Sequence, residues 1–416
     1  MNDHKLVSGP GAADAARARM AAGLRADGRA LSKRVRDAFA RVPRHLFVPE
    51  VGEADAYRDE AFVLKCGPDG VPVSSSSQPA MMAIMLEQLD LRRGHRVLEI
   101  GTGSGYNAAI MSMVAGPDGV VTTVDIDAEL VTRARASLAA AGFGAVRVIC
   151  ADGGFGDPAG APFDRIIVTA GAWDIAPAWL DQLTAAGRLV LPLSVCGLEL
   201  SVALERAGGC WLSRSACRCG FVAMLGAFAR PQLAVRLGGP DLLVVQVADD
   251  VPVDAAAVRD ALAGGYADVD TGLPVTDGAE LGDLDMWLTL TEPDLCRLTV
   301  LRPAARVPGE MLPMGGLAAN VTDPRTVGVA ALLAGPGHGR MRAGVRLRGY
   351  GPGGELLARY LAARAAVWAE SGRPRACDVV LRVWRRADAP PAEPDVVMLD
   401  RPSVRIAVTW DGRPEG

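Results

Sequence analysis

The sequence predicts an α/β fold: a mostly parallel, doubly wound sheet with antiparallel edge strands, followed by a C-terminal α+β domain. Three observations carry that expectation. Between residues 95 and 192, short apolar runs alternate with stretches of helical periodicity, the pattern of a parallel sheet with right-handed crossovers. The first of these runs ends in Glu99 and turns through Gly101, Gly103 and Gly105 into a helix. Around Ala229–Pro240 the pattern resets and a second set of strand-like runs begins.

Taken in order, residues 1–28 are rich in Ala, Gly and Arg and are expected to form a flexible extension, at most a loose helix. Leu31–Arg41 puts Val35, Ala38 and Phe39 on one helical face, and Pro43 ends it. After a loop with Gly67, Pro68, Gly70 and Pro72 comes the serine run Ser74–Ser77, then a helix over Pro79–Leu89 with Pro at its start. Strands are expected at Arg96–Ile100, Val120–Val124, Val146–Cys150, Arg165–Thr169 and Arg188–Pro192, with helices at Asn107–Val114, Ala128–Ala141 and Pro177–Ala185. Glu199–Glu205 and Phe221–Phe228 are strand-like with no helix between them, which suits an antiparallel edge pair. These elements make one domain over residues 29–229. A second, over residues 241–416, has expected strands at Leu242–Val247, Asp285–Leu290, Cys296–Leu301, Val379–Trp384 and Val404–Trp410. It also has a long helix, Gly354–Glu370, and a Pro-rich surface loop at Ala389–Pro394.

Composition narrows the function. A chain of 416 residues, half of them hydrophobic, can bury two or three domain cores. A net charge of −4 leaves no polybasic footprint, so a nucleic-acid partner is not expected. No secretory signal appears and no run approaches the length of a membrane span, so neither a membrane partner nor export is expected and the cytoplasm is the expected site. The four histidines are far apart, and Cys217 and Cys219 have no second pair at ligand spacing. No metal is expected, and the eight cysteines are expected to be idle thiols.

The chemistry concentrates in the glycine turn. Glycines there let the backbone approach a ligand where a Cβ would collide. Asp125, ending the next strand, falls 22 positions after Gly103, the offset of a ribose-binding carboxylate. The spacing E-I-G-T-G-S-G departs from the G-x-G-x-x-G of dinucleotide sites and suits S-adenosylmethionine (SAM), which has no pyrophosphate to cradle. Glu99 is then expected to orient the ammonium group, Asp125 to take the ribose hydroxyls, and Asp152, in CADGGFG, to accept from the adenine amino group. Thr102, inside the turn, with Ile126 and Gly153 beside the acids, completes the expected cofactor set. Either aspartate alone is as well explained as a helix cap; both together with Glu99 favour the cofactor. The expected product is S-adenosyl-L-homocysteine.

Several further segments point to one family. VPRHLFVPE (Val42–Glu50), SSSQPAMM (Ser75–Met82), VLEIGTGSGY, FDRIIVTAG (Phe163–Gly171), LDQLTAAGRLVLPL (Leu180–Leu193) and GFVAMLG (Gly220–Gly226) resemble the successive motifs of protein-L-isoaspartate O-methyltransferases, in order, over residues 30–228. The resemblance implies a Rossmann-like fold and methyl transfer to a carboxylate in a peptide or protein partner. It places the substrate-side serine at Ser77, with Ser76 beside it and Gln78 following, and puts Tyr57 and Asp59 in the substrate loop. Trp173 either walls the methyl-transfer site or packs in the core. A carboxylate is ionised at neutral pH, so no general base is required.

The tail extends well past this match. Leu284–Leu298, Gly315–Val321 and Val404–Trp410 resemble an extended branch associated with lanthipeptide-type maturation. That implies methylation of an aspartate in a ribosomally made peptide, giving an aspartimide or isoaspartate. General repair of isoaspartyl residues is the alternative, and a non-catalytic SAM-binding scaffold is the alternative of another class. The sequence says nothing of oligomeric state.

Overall fold

The fold is that of a computed structural model, which describes residues 11–410 except 69, 231–233, 238–242, 247–252, 276, 293, 301–305, 308–309, 312–315, 335–342, 392 and 394–395. Residues 1–10 of the expected flexible extension lie outside the described residues. The rest of that segment is an ordered helix, α1 (Ala12–Ala26), which buries Ala13, Ala16, Met20 and Leu24. Two of those four are alanines, in a helix rich in alanine on every face, which is why apolar periodicity did not reveal it. Next comes α2 (Lys33–Arg41), whose N-cap Ser32 accepts from Val35 N and donates through its own hydroxyl to Glu87. Two unanticipated strands, β1 (Phe62–Cys66) and β2 (Pro72–Ser76), form an antiparallel hairpin that carries the serine run to α3 (Pro79–Leu89).

The alternating region folds as expected, except that the helix expected over Pro177–Ala185 ends at Asp181 and the next strand begins at Leu183, ahead of Arg188. It comprises β3 (Arg96–Ile100), α4 (Tyr106–Ala115), β4 (Val120–Asp125), α5 (Ala128–Ala140), β5 (Arg147–Cys150), β6 (Phe163–Val168), α6 (Pro177–Asp181) and β7 (Leu183–Val195). The strands run parallel in the order β5-β4-β3-β6-β7. Both faces of the sheet are buried: Val97 and Val121 enter one apolar core, Leu98 and Val124 the other. The chain leaves β3 toward β4 and β5, then returns to β6 on the other side of β3. Ligands bind at such a switch point, outside the carboxyl ends of the strands.

Antiparallel strands extend the sheet through β8 (Leu198–Ala207) and β9 (Cys210–Arg218). The strand that pairs with β8 is therefore β9 and not Phe221–Phe228, as the sequence suggested. That run, preceded by Gly220 and interrupted by Gly226, is irregular and makes a single parallel bridge, Ala223 to Gly171. Its apolar side chains face a cleft instead of a neighbouring strand.

The following part holds β10 (Ala234–Arg236), β11 (Leu243–Gln246), α7 (Ala255–Ala263), β12 (Tyr266–Val275), α8 (Gly278–Thr291) and β13 (Cys296–Val300). It continues through the short pair β14 (Arg306–Val307) and β15 (Glu310–Met311), then β16 (Gly316–Ala319), β17 (Gly328–Ala334), β18 (Ala343–Tyr350) and α9 (Gly354–Glu370). Seven strands form an antiparallel sheet in the order β10-β11-β13-β16-β17-β18-β12. Of the segments anticipated here, Leu242, Val247, Leu301 and Gly315 lie outside the described residues. Asp285–Leu290, expected as a strand, is the second half of α8.

The end of the chain corrects the expected domain division. β19 (Val379–Arg385), β20 (Val397–Asp400) and β21 (Val404–Trp410) do not join the seven-stranded sheet. β19 pairs antiparallel with β9, so the catalytic sheet has ten strands, ordered β20-β21-β19-β9-β8-β7-β6-β3-β4-β5. The Ala389–Pro394 loop falls between β19 and β20, with Ala392 and Pro394 outside the described residues.

Candidate active site

A cleft of about 1030 Å³, open to solvent, lies where β3, β4 and β6 end. Its floor is the glycine turn. Gly101 has φ +98°, and a Cβ there would lie 2.6 Å from Thr169 Oγ1; at Gly103, φ +51°, a Cβ would come within 3.3 Å of the Ser75 carbonyl oxygen. The turn is thus wedged between the end of β6 and the serine strand, and its positive φ angles and close neighbours favour glycine.

Glu99 lines the cleft and has no exposed surface. Its carboxylate accepts from Asn107 Nδ2 at 2.7 Å and from Thr123 Oγ1 at 2.6 Å. Because Thr123 donates to Glu99, it accepts from Thr102 Oγ1, 2.8 Å away, so Thr102 orients the acid through one hydroxyl. Burial pushes the Glu99 carboxyl up to about 7, against the two hydrogen bonds that favour its charge; the nearby Asp125 carboxylate adds to the rise. Asp125 accepts from Gly103 N and Asp127 N, both at 3.0 Å, which fixes the carboxylate in the cleft wall. Ile126 and Gly153 also line the cleft; a Cβ on Gly153 would meet Ile100 at 2.5 Å.

Opposite the turn stand Ser76 and Ser77. Ser76 is buried, and Ser104 Oγ of the turn donates to its hydroxyl at 3.3 Å. The structure therefore brings Glu99, Gly101, Thr102, Gly103, Asp125, Ile126, Gly153, Ser76 and Ser77 to one cleft.

Six anticipated residues stand outside its lining. Gly105 caps α4 in the left-handed region and backs onto Ala134 and Leu138. Asp152 accepts from Gly154 N at 2.8 Å and Ala227 N at 2.7 Å, so its carboxylate anchors the loop after β9 to the turn after β5. Tyr57 is buried, with its hydroxyl 2.8 Å from His45 Nδ1, and belongs to the core around α1. Asp59 accepts from Gln78 Nε2 at 2.9 Å and from Ala80 N at 2.8 Å, which uses both residues to fasten the start of α3. Trp173 lies under Arg401, whose guanidinium carbon is 4.9 Å from the ring centroid and whose Nε donates to the Trp173 carbonyl. Of the two readings of Trp173, the geometry gives packing.

Other participants went unassigned from sequence. Asn107 is the second residue of α4, where its spacing from Glu99 was a usable signal. The loop Phe221–Leu225 walls the cleft, although its apolar run has the composition of a strand. It is held by Glu199, which accepts from Phe221 N at 2.7 Å and whose carboxyl burial pushes up to about 7. Lys65, on β1, pairs with Asp127 at 2.6 Å and Glu129 at 2.9 Å and ties the serine hairpin to the start of α5. Among the described residues no group of His, Cys, Asp and Glu is placed to hold a metal ion, and no helix is long and apolar enough to cross a membrane. All eight cysteines are free thiols.

A parallel sheet with a buried acid ending β3, a second acid ending β4 and a glycine-floored cleft between them defines a SAM-dependent methyltransferase. The family model for protein-L-isoaspartate(D-aspartate) O-methyltransferase matches residues 15–227, and the chain belongs to that family. Among relatives, protein-L-isoaspartate O-methyltransferase 2 of Archaeoglobus fulgidus is 46% identical over 163 residues, covering 39% of this chain and 72% of that protein. The enzyme of Methanopyrus kandleri is 40% identical over 221 residues, covering 52% and 95%. A solved protein-L-isoaspartate O-methyltransferase aligns with a TM-score of 0.49 at 22% identity, covering 88% of this chain and 96% of that one.

Proposed function

We propose that this enzyme methylates the free carboxylate of L-isoaspartyl residues in proteins and peptides, a repair activity. The observation that carries this reading is the meeting of the serine strand with the glycine turn, through Ser104 and Ser76, in a cleft walled by Glu99 and Asp125. When bound, SAM supplies a methyl group on a positively charged sulfur. Glu99 would hold its ammonium end and Asp125 its ribose, with Ile126 and Gly153 lining the rest of the cofactor site. Ser76 and Ser77 donate to the acceptor carboxylate and aim one oxygen at the methyl carbon. The oxygen–carbon bond forms as the carbon–sulfur bond breaks, and its electron pair stays on sulfur. Opposite charges cancel in that step, so in-line positioning and exclusion of water carry the catalysis. No proton has to move. The ester is then open to attack by the next backbone nitrogen, which displaces methanol and closes a succinimide.

The relatives named above are isoaspartate methyltransferases, which favours repair over the dedicated-peptide role that the tail suggested. The separating experiment incubates the chain with SAM and matched peptides carrying isoaspartate or normal aspartate, and weighs the products. Repair predicts a product one methylene heavier from the isoaspartyl peptide alone, decaying to one lighter than the start by one water. Turnover confined to the normal aspartate of a modified precursor peptide would restore the maturation reading. Silence on every peptide would leave the scaffold.

A further inference from the structure

Arg44, in the VPRHLFVPE segment, is fully buried beneath the serine side of the cleft. Its four terminal N–H groups go to four backbone carbonyls. Nη1 donates to Ala56 O at 2.9 Å and Arg58 O at 3.0 Å, while Nη2 donates to Glu60 O at 3.0 Å and Ser77 O at 2.9 Å. The guanidinium is flanked by the rings of Phe62 and Tyr106, at 4.8 and 5.8 Å from their centroids, and its buried Nε has no partner. Burial pulls its pKa down to about 10, so it remains charged at neutral pH. A buried cation satisfied by carbonyl dipoles alone is a costly way to stabilise a fold. Its placement is specific: three carbonyls come from one stretch of loop and the fourth from Ser77, a residue of the cleft. Asp59 repeats the connection from the other side by accepting from Gln78 and Ala80.

We propose that Arg44 is a positioning residue for the acceptor side of the cleft: its planar fork locks the Ser77 backbone to residues 56–60 and so fixes the distance between the serine hydroxyls and the glycine turn. This rests on the assignment of Ser77 to the acceptor carboxylate. Arg44 touches no reacting atom; it acts through Ser77. Lysine would keep the charge but offers a single ammonium in place of a fork that spans four acceptors, so charge and geometry are separable.

The test uses full-length Arg44→Lys and Arg44→Met with two readouts. Amide hydrogen exchange over residues 56–60 and 74–78 should speed up by about tenfold or more in both variants, with residues 96–100 unchanged. In steady-state methylation of an isoaspartyl peptide, Arg44→Lys should lose about tenfold or more in kcat while KM for SAM stays within about threefold, because misplacement costs alignment before cofactor affinity. Unchanged exchange at 74–78 in a folded Arg44→Lys protein would overturn the proposal. So would a kcat equal to wild type, or a loss that follows SAM affinity alone. If wild type itself ignores isoaspartyl peptides, the assignment of the substrate fails, and the exchange data still decide whether Arg44 fixes Ser77. Should Arg44→Met fail to fold, Arg44→Lys carries the test.

Discussion

Glu99 combines full burial, two hydrogen bonds and a cleft-facing position, and its titration ought to be visible in cofactor binding. Its carboxyl sits near 7 in the free protein. A bound ammonium favours the carboxylate and lowers that value, so binding releases a proton below neutrality. SAM affinity should therefore rise about five- to tenfold between pH 6 and 7.5 in a titration calorimeter, the direction following from the acid being mostly protonated at the lower pH. The same shift acts on stability with the opposite sense. A carboxyl raised in the fold favours the folded state below its ordinary pKa near 4.5, and that contribution is lost as pH climbs through about 7. Glu99→Gln should flatten the pH dependence of binding; a slope unchanged in that variant would remove Glu99 from the ammonium site. At this scale the sequence was a good guide to where Glu99 and Asp125 lie, because a strand terminus at the switch point fixes which side chains line the cleft. It gave no sign of the tie that Asp152 makes to Gly154 and Ala227, since the contact to Ala227 spans 75 residues and no local pattern displays it.

Among elements, the turn between β3 and α4 does the most with the least material. Gly101→Ala would place a Cβ at φ +98° and 2.6 Å from Thr169 Oγ1, itself held by hydrogen bonds to the Ile100 and Gly101 carbonyls. Backbone strain and the clash together should cost about 2–4 kcal/mol in urea unfolding and weaken SAM binding. A loss under about 0.5 kcal/mol, the range of a neutral surface change, would show that the turn relaxes freely. Elements with a repeating local signal were legible: α3 and α9 begin and end where Pro79 and Gly354 and the apolar spacing place them. Those whose identity depends on distant partners were not. α8 was taken for a strand because Leu284–Leu290 is buried on every side and so lacks a polar face to reveal its period. Phe221–Phe228 has a strand's composition, but β9 already takes the place beside β8 and pairs onward with β19.

For the molecule as a whole, the same α8 joins the two sheets. Leu281, Leu284, Trp287 and Leu288 pack into the core beside the seven-stranded sheet, while Met286 and Leu290 enter a core of the ten-stranded one. Asp285 is shared in the same way. It accepts from Arg297 Nη2 of β13 at 2.7 Å and from Arg218 Nη2 of β9 at 3.3 Å, so one buried carboxylate answers a cation from each sheet. The return of β19–β21 to β9 is the second tie, and neither was visible from a composition that simply resets near residue 230. Asp285 is 3% and Arg297 6% exposed, so Asp285→Ala leaves a buried guanidinium without its counter-charge, a loss of about 3–5 kcal/mol. An exposed pair such as Lys33–Asp37, with side chains 80% and 41% accessible, should yield less than about 1 kcal/mol when broken. Urea unfolding followed by tryptophan fluorescence tests the contrast, since the buried Trp287 lies two residues from Asp285 on α8. If both substitutions cost the same small amount, α8 packs the sheets together by apolar contact alone, and the shared carboxylate contributes nothing to their coupling.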